Sequence, residues 1–379
     1  MIDVYDPRKP FNEQVRKIIR ATHPTSGPIT VEPRGKRFAP IRDHNYWKDF
    51  DEQPASDGIG TKGYLHWMMD TLEYGVQDAF AMVVDDLMED GHVPVTLEDH
   101  IMLQEENQEK IFRIMNELSR LCMRYTWEID VPPLEVDYVI ESGQETTHPI
   151  IILGGETAIM NTLQGFEMGI FGTGYVRNDR RIIRGLKEGD ELIGVGSTGP
   201  HSNDYTFFRG EFLEKRGMSI DNTAPWDSGT TIGEALTRPT RIYMQAIKDA
   251  IRKVAEMGVA PSDAIHGMVH ITGGGMSKLT ELLPETGDVD IEVRRSHSLR
   301  PGNLFGYSFD LDRDSEKMYT RFNNGVGYVI AVPSEYSGVV QDTVRKYFPT
   351  DSIGRVVPGT GRVLIESQYE DKTVVFTKN

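Results

Sequence analysis

Apolar side chains recur along the chain at spacings that separate helices from strands. Val76, Phe80, Val83, Val84 and Leu87 fall on one face of a helix that turns about 100° per residue. That rotation points Asp85 away from the apolar face, toward solvent, and leaves Asp86 on its flank, within reach of a cleft edge. Ile111, Ile114, Met115, Leu118, Leu121 and Cys122 repeat at i, i+3, i+4, i+7, i+10 and i+11, which predicts a second amphipathic helix with Cys122 in the core. A third helix is predicted to begin near Pro239, bury Ile242, Ala246, Ile247, Ala250, Ile251 and Val254, and stop at Gly258.

Four short apolar runs read as strands beside glycine or small polar residues: Pro149 to Leu153, Leu192 to Val195, Met268 to Ile271 and Tyr328 to Val332. Strands and helices alternate irregularly, which predicts an α+β (mixed α/β) architecture in place of a parallel barrel. At 379 residues the chain has room for two to three domains. The charged stretch RNDRRIIRGLKEGDE, residues 177 to 191, is the natural junction, dividing residues 1–176 from 177–379. Residues 125 to 147, with Pro132-Pro133 and many acids, form a long excursion, read either as a lid or as a plain surface insertion. The charged N-terminus MIDVYDPRKPFNEQVRKIIR lacks a secretory core, and no apolar run approaches a bilayer span, so a cytoplasmic protein is expected.

Composition narrows the chemistry. Lys and Arg total 41 against 58 Asp and Glu, a net charge of −17, which argues against a nonspecific nucleic-acid binder and against anionic membrane surfaces. The lone Cys122 leaves no intrachain disulfide and no multi-cysteine metal site. Many of the 37 glycines gather in four clusters with hydroxyls and ionisable groups. Ser56-Asp57-Gly58-Ile59-Gly60-Thr61-Lys62 offers backbone N–H groups, a hydroxyl, an ammonium and a carboxylate, the inventory of a polyphosphate site, although its spacing is not that of a P-loop and a simple turn would also use it. Gly154-Gly155-Glu156-Thr157 follows an apolar strand. Gly196 to Asn203, GSTGPHSN, precedes a predicted helix from Thr206 to Arg216, with Ser202 or Asn203 as its N-cap. His270-Ile271-Thr272-Gly273-Gly274-Gly275 places three costly glycines in a row before a helix containing Leu279 and Leu282. Asp57, Asp86, Asp99 and Glu156 lie in or beside these loops, enough carboxylates for Mg²⁺, which leans on water and substrate phosphates; each is equally readable as a solvated acid or a cap. His201, His266 and His270 are candidate acids, bases or phosphate donors near neutral pH, or structural hydrogen-bonding groups.

Together these residues resemble the aminoimidazole ribonucleotide synthetase family, the phosphoribosylformylglycinamidine cyclo-ligases. The resemblance runs co-linearly through SDGIGTK (56–62), VVDDL (83–87), LED (97–99), GGETA (154–158), GSTGPHSN (196–203), RPTRIY (238–243), IHGMVHITGGG (265–275), YTRFNNGVG (319–327) and IGRV (353–356), about four fifths of the chain. It implies two domains: an N-terminal ATP-binding and dimerisation domain that forms an intersubunit β-barrel in a homodimer, and a C-terminal substrate-binding α/β sandwich. It also implies ATP and Mg²⁺ as cofactors and a small phosphorylated substrate, formylglycinamidine ribonucleotide, closed to aminoimidazole ribonucleotide with release of ADP and phosphate.

Carried over by motif, Asp57, Gly58, Gly60, Thr61 and Lys62 would contact phosphates, with Gly155, Glu156 and Thr157 beside the nucleotide and Asp57, Asp86 and Glu156 on the metal. Gly199, Ser202, Asn203, Thr272, Gly273, Gly274, Gly275 and Asn323 would line the substrate cleft, with Lys62, His201 and His270 as catalytic candidates. Several positions depart from the family pattern. Ile159 stands where an acid is usual, Asn161 where a proline is usual and Asp204 where a glycine is usual; Asp85 replaces the Asn of VND, and residues 1–50 form a divergent extension without the family's N-terminal signature. These departures also admit a related ATP-dependent kinase or dehydratase, or a non-catalytic nucleotide-binding paralogue.

Overall fold

Two sheets close on a single buried helix. The computed structural model describes residues 10–24, 27–34, 37–128 and 147–378. Strands β1 (Phe50–Gly58), β2 (Val93–Leu103), β3 (Ile151–Ile159) and β4 (Phe166–Arg177) form a four-stranded sheet ordered β1-β4-β2-β3. Its β2–β3 pair is parallel and its other pairs are antiparallel. A seven-stranded sheet holds β5 (Glu191–Gly196), β6 (Gly267–His270), β7 (Val289–Val293), β8 (Val326–Val332), β9 (Thr350–Pro358), β10 (Arg362–Glu366) and β11 (Thr373–Thr377), ordered β6-β8-β5-β9-β7-β10-β11. Every strand of the first sheet precedes residue 178, and every strand of the second follows residue 190. The architecture is mixed α and β. Among the described residues no helix is long and apolar enough to cross a membrane.

The helices that position the cleft are α1 (Lys62–Met68), α2 (Leu72–Leu87), α3 (Gln108–Arg124), α4 (Met244–Glu256) and α5 (Asn303–Asp312). Asn107 caps α3 by accepting the N–H of Lys110 at 3.1 Å, and the apolar face from Ile111 to Cys122 is buried as its period predicts. Cys122 is fully buried, and the loss of water pushes its thiol up, out of the reactive range. Helix α2 departs from the amphipathic reading. Twelve of its sixteen residues are buried, because one side packs on the four-stranded sheet and the other meets the C-terminal half. Asp85 is therefore fully buried and does not face solvent. It accepts the N–H groups of Tyr243 at 2.8 Å and Met244 at 2.7 Å, and so closes the N-terminus of α4 from another segment.

That contact also explains where α4 starts. The expected start near Pro239 moves to Met244, because the N–H of Thr240 goes to Asp78 and those of Tyr243 and Met244 go to Asp85. Three further boundaries are corrected. The Gly154–Thr157 cluster is not a loop after a strand: it continues β3, paired with β2 as far as Ile159. The helix expected from Thr206 to Arg216 is one α-turn, Tyr205–Phe208, running into a π-helical segment, Arg209–Lys215; Asp204, not Ser202 or Asn203, precedes it, with φ 50° and no capping bond. The triglycine run leads into a 3₁₀ segment, Gly275–Leu282, that buries Leu279 and Leu282. Of the excursion at 125–147, residues 129–146 lie outside the described residues, as do residues 1–9 of the N-terminal extension.

Candidate active site

The DGIGTK segment ends β1 and opens α1, so its backbone turns at the edge of the cleft between the halves. Gly60 has φ 55°, and its N–H donates to Glu167 Oε1 at 3.0 Å. The N–H of Gly58 donates to Asp57 Oδ1 at 2.7 Å, and Thr61 Oγ1 lies 3.1 Å from Thr206 Oγ1 across the cleft. The expectation that Lys62 contacts phosphate is corrected. Its side chain is fully buried, and Nζ donates to Asp78 Oδ1 at 2.9 Å and to the carbonyls of His201 at 2.7 Å and Arg238 at 2.8 Å. Three acceptors use the three protons of an ammonium. Asp78 also takes the Thr240 hydroxyl at 2.6 Å and lies 2.7 Å from His66 Nε2. Burial alone would raise the Asp78 carboxyl, but Lys62 and His66 hold it at about 2. Lys62 therefore ties the GPHSN and RPTR segments to the N-terminal half.

Beyond this tie, the end of α2 faces β6. His270 Nδ1 lies 2.9 Å from Asp86 Oδ1, and the N–H of His270 donates to Glu89 Oε1 at 2.8 Å. Burial pulls the His270 imidazolium down, but the hydrogen bond and charge of Asp86 outweigh it, and the ring's pKa is raised. Its Nε2 is buried with no hydrogen-bond partner among the described residues. Asp57 stands near: loss of water raises its carboxyl, the Gly58 N–H lowers it, the charge of Asp86 raises it again, and His270 and Lys278 draw it down. Glu89 is pushed up to about 7, chiefly by burial. The cleft thus gathers Asp57, Asp86, Glu89 and Glu167 with His270 and Lys278. Glu89, Glu167 and Lys278 carry no motif of their own and are not singled out by the sequence; Glu89 follows Asp86 by three residues, one helical turn, the signal that could have found it.

The GPHSN loop borders this cleft and is held by its own polar groups. Asn323 is fully buried; it donates to the Gly199 carbonyl at 2.8 Å and accepts from Ser197 Oγ at 3.0 Å. Asn203 donates to the Ile271 carbonyl at 3.3 Å, and Ser202 Oγ lies 3.3 Å from Thr240 Oγ1. Asn203 and Asn323 thus fasten the loop, while Gly199 faces a cavity. His201 has φ 58° and is buried, and its Nε2 accepts the N–H of Thr198 at 3.3 Å. Burial, with the charge of His270, lowers its pKa well below the ordinary histidine value, so the neutral ring carries its proton on the unpartnered Nδ1. Gly327 is required here: a Cβ would come within 2.0 Å of the Tyr243 hydroxyl and 2.6 Å of the His201 ring. Gly273 and Gly274 are exposed at the cleft, and Thr272 Oγ1 accepts from Lys278 at 3.0 Å. Gly275 is buried at φ 57°, with a Cβ position 2.6 Å from the Phe322 carbonyl.

Gly155, Glu156 and Thr157 stand apart from this group. Asp57, Ile170, Asp99 and Gly155 lie opposite one another across β1, β4, β2 and β3, so three strand spacings, about 14 Å, separate Asp57 from Gly155. One copy of the chain therefore does not bring Glu156 together with Asp57 and Asp86. Asp99 is buried, and loss of water pushes it up to about 7. Among the described residues no three His, Cys, Asp or Glu side chains form a ready metal cage. His266 pairs with Asp190 at 2.8 Å, away from His270's partners.

A model of the AIR synthase related protein C-terminal domain matches residues 187–366. The phosphoribosylformylglycinamidine cyclo-ligase of Bacillus licheniformis is 31% identical over 318 residues, covering 82% of this chain and 81% of that protein. The chain belongs to the phosphoribosylformylglycinamidine cyclo-ligase family. Among solved structures, Escherichia coli HypE has a TM-score of 0.60 at 14% identity, covering 97% of this chain and 96% of that chain. The hydrogenase maturation protein HypE in complex with ATP has a TM-score of 0.55 at 15% identity, covering 96% of this chain and 91% of that one. These likenesses show a shared fold. Two departures from the cyclo-ligase pattern find local accommodation. Asp204 holds the left-handed conformation natural to a glycine and pairs with Arg321 at 3.4 Å. Asp85 replaces the Asn of VND yet still receives backbone N–H groups.

Proposed function

We propose that the chain converts formylglycinamidine ribonucleotide to aminoimidazole ribonucleotide at the expense of ATP, as a homodimeric, cytoplasmic enzyme of purine synthesis. The observation that carries this reading is the convergence of Asp57, Asp86 and His270 from separate family motifs on one cleft bordered by the 272–275 and 197–203 loops. In this reaction the γ-phosphoryl group passes to the formyl amide oxygen, ADP leaves, the amidine nitrogen attacks the activated carbon, and phosphate departs with the former amide oxygen. Backbone N–H groups of Thr61, Gly273 and Gly274 offset charge on the phosphoryl group. His270, held at Nδ1 by Asp86, is the base we assign to the proton lost in ring closure.

Mg²⁺ fits the donor set, since Asp86 lies close enough for its charge to raise the cost of ionising Asp57, and two carboxylates leave room for phosphate and water ligands. The bound cation would neutralise phosphate charge. Glu156 would join a nucleotide site from the sheet's open side. That side exposes 52% of Phe171, apolar surface that a second copy would cover in the intersubunit barrel. Residues 1–176 then form the ATP and dimer domain, and residues 177–379 the substrate domain.

The test is product analysis with purified protein, Mg²⁺·ATP and formylglycinamidine ribonucleotide. ADP and aminoimidazole ribonucleotide are expected in equal amounts. ADP release with another phosphorylated acceptor only, or ATP binding without turnover, would replace this reading by a superfamily kinase or a non-catalytic paralogue.

A further inference from the structure

A second cavity, of about 230 Å³, opens beside the GPHSN loop, between Ser197–Pro200 and the start of α5. Its lining is cationic in a chain whose net charge is −17. Arg238 is exposed there, and its guanidinium makes no hydrogen bond or ion pair among the described residues, while its carbonyl is pinned by Lys62 Nζ at 2.8 Å. Arg300, also at the cavity, donates from Nη1 to the Arg295 carbonyl at 2.8 Å and to Gln368 at 3.5 Å, and its other nitrogens have no hydrogen bond among the described residues. Gly302, at the N-cap of α5, supplies no side-chain acceptor to the first turn, which also lines the cavity. One carboxylate is present, Asp227, whose Oδ1 accepts the Gly229 N–H at 3.0 Å. Two guanidinium groups without carboxylate partners select an anion, and a lone carboxylate beside them suits a sugar hydroxyl.

We propose that this cavity takes the phosphate monoester end of the acceptor, with Arg238 and Arg300 as its specificity-determining cations and Asp227 on a ribose hydroxyl. The assignment rests on the cyclo-ligase reading and names a subsite for that substrate. The geometry joins the two places: Gly199 and Pro200 wall the cavity, His201 follows them, its ring lies 6.0 Å from that of Tyr243, and Tyr243 lies 5.9 Å from His270. The loop that walls the cavity is therefore also the one that carries His201 toward the Asp86–His270 pair.

Calorimetry on the full-length protein with ribose 5-phosphate and with ribose tests the subsite without turnover. Ribose 5-phosphate is expected to bind at least about 10-fold more tightly than ribose, and Arg238→Gln and Arg300→Gln are each expected to weaken it about 10-fold. Each variant should also raise KM for the acceptor by a similar factor. Thermal melts of both variants establish that they are folded. Equal binding of ribose and ribose 5-phosphate, or unchanged binding in folded variants, overturns the assignment. A rise in KM for ATP without one for the acceptor also overturns it, by placing the triphosphate there. Arginine-dependent binding of ribose 5-phosphate without cyclo-ligation would sink the reaction and leave the subsite standing.

Discussion

Replacing Lys62 with methionine is expected to cost about 3–5 kcal/mol of folding stability, because it strips the countercharge from a fully buried carboxylate. Asp78 would keep His66 and Thr240 but lose the ammonium that holds its carboxyl at about 2, and the His201 and Arg238 carbonyls would lose their shared donor. The pH dependence has a definite sign. A carboxyl depressed in the folded state stabilises above its unfolded pKa, about 4, and that stabilisation is lost as pH falls toward 2. In Lys62→Met the Asp78 pKa rises, so the gap between wild type and variant should be widest near neutrality and narrow below about pH 4. Urea denaturation at several pH values measures this. A variant of unchanged stability whose sole defect is a raised KM for ATP would restore Lys62 to a phosphate-binding role.

Asp86→Asn is expected to lower ATP-dependent turnover by about 10²-fold or more, with little effect on unfolding. The amide keeps the shape but not the charge, so it weakens the proposed Mg²⁺ site and stops raising the pKa of His270. The limb of the pH–rate profile governed by His270 should shift to lower pH. Asp85→Ala should behave differently: it removes the acceptor for the Tyr243 and Met244 N–H groups and should cost about 1–2 kcal/mol of stability. Matching turnover losses in both variants at unchanged stability would contradict this division of labour.

These two aspartates show what the sequence conveys and what it withholds. The apolar period of α2 located the helix and placed Asp86 at a cleft edge. The same period pointed Asp85 to water, since local spacing cannot distinguish a polar position facing solvent from one facing a distant segment; its partners lie 158 and 159 residues away. Lys62 is the same case. A lysine after GIGT reads as a phosphate ligand until His201 and Arg238, 139 and 176 residues on, are seen to occupy it. The order of the motifs was legible because each is short and contiguous, and Asp57, Asp86 and His270 do meet in one cleft. Glu167 left no trace: it enters the cleft through the pairing of β4 with β1, and its own neighbourhood, QGFEMG, carries no loop chemistry. GGET resembled a loop because glycines interrupt the apolar run, yet its edge pairing with β2 keeps it extended.

The most direct test of amide activation follows one oxygen atom. Formylglycinamidine ribonucleotide labelled with oxygen-18 in its formyl group, turned over with unlabelled ATP and Mg²⁺, should yield inorganic phosphate carrying one labelled oxygen for each aminoimidazole ribonucleotide formed. Unlabelled phosphate, with the heavy oxygen recovered in water or retained in the organic product, would contradict the account.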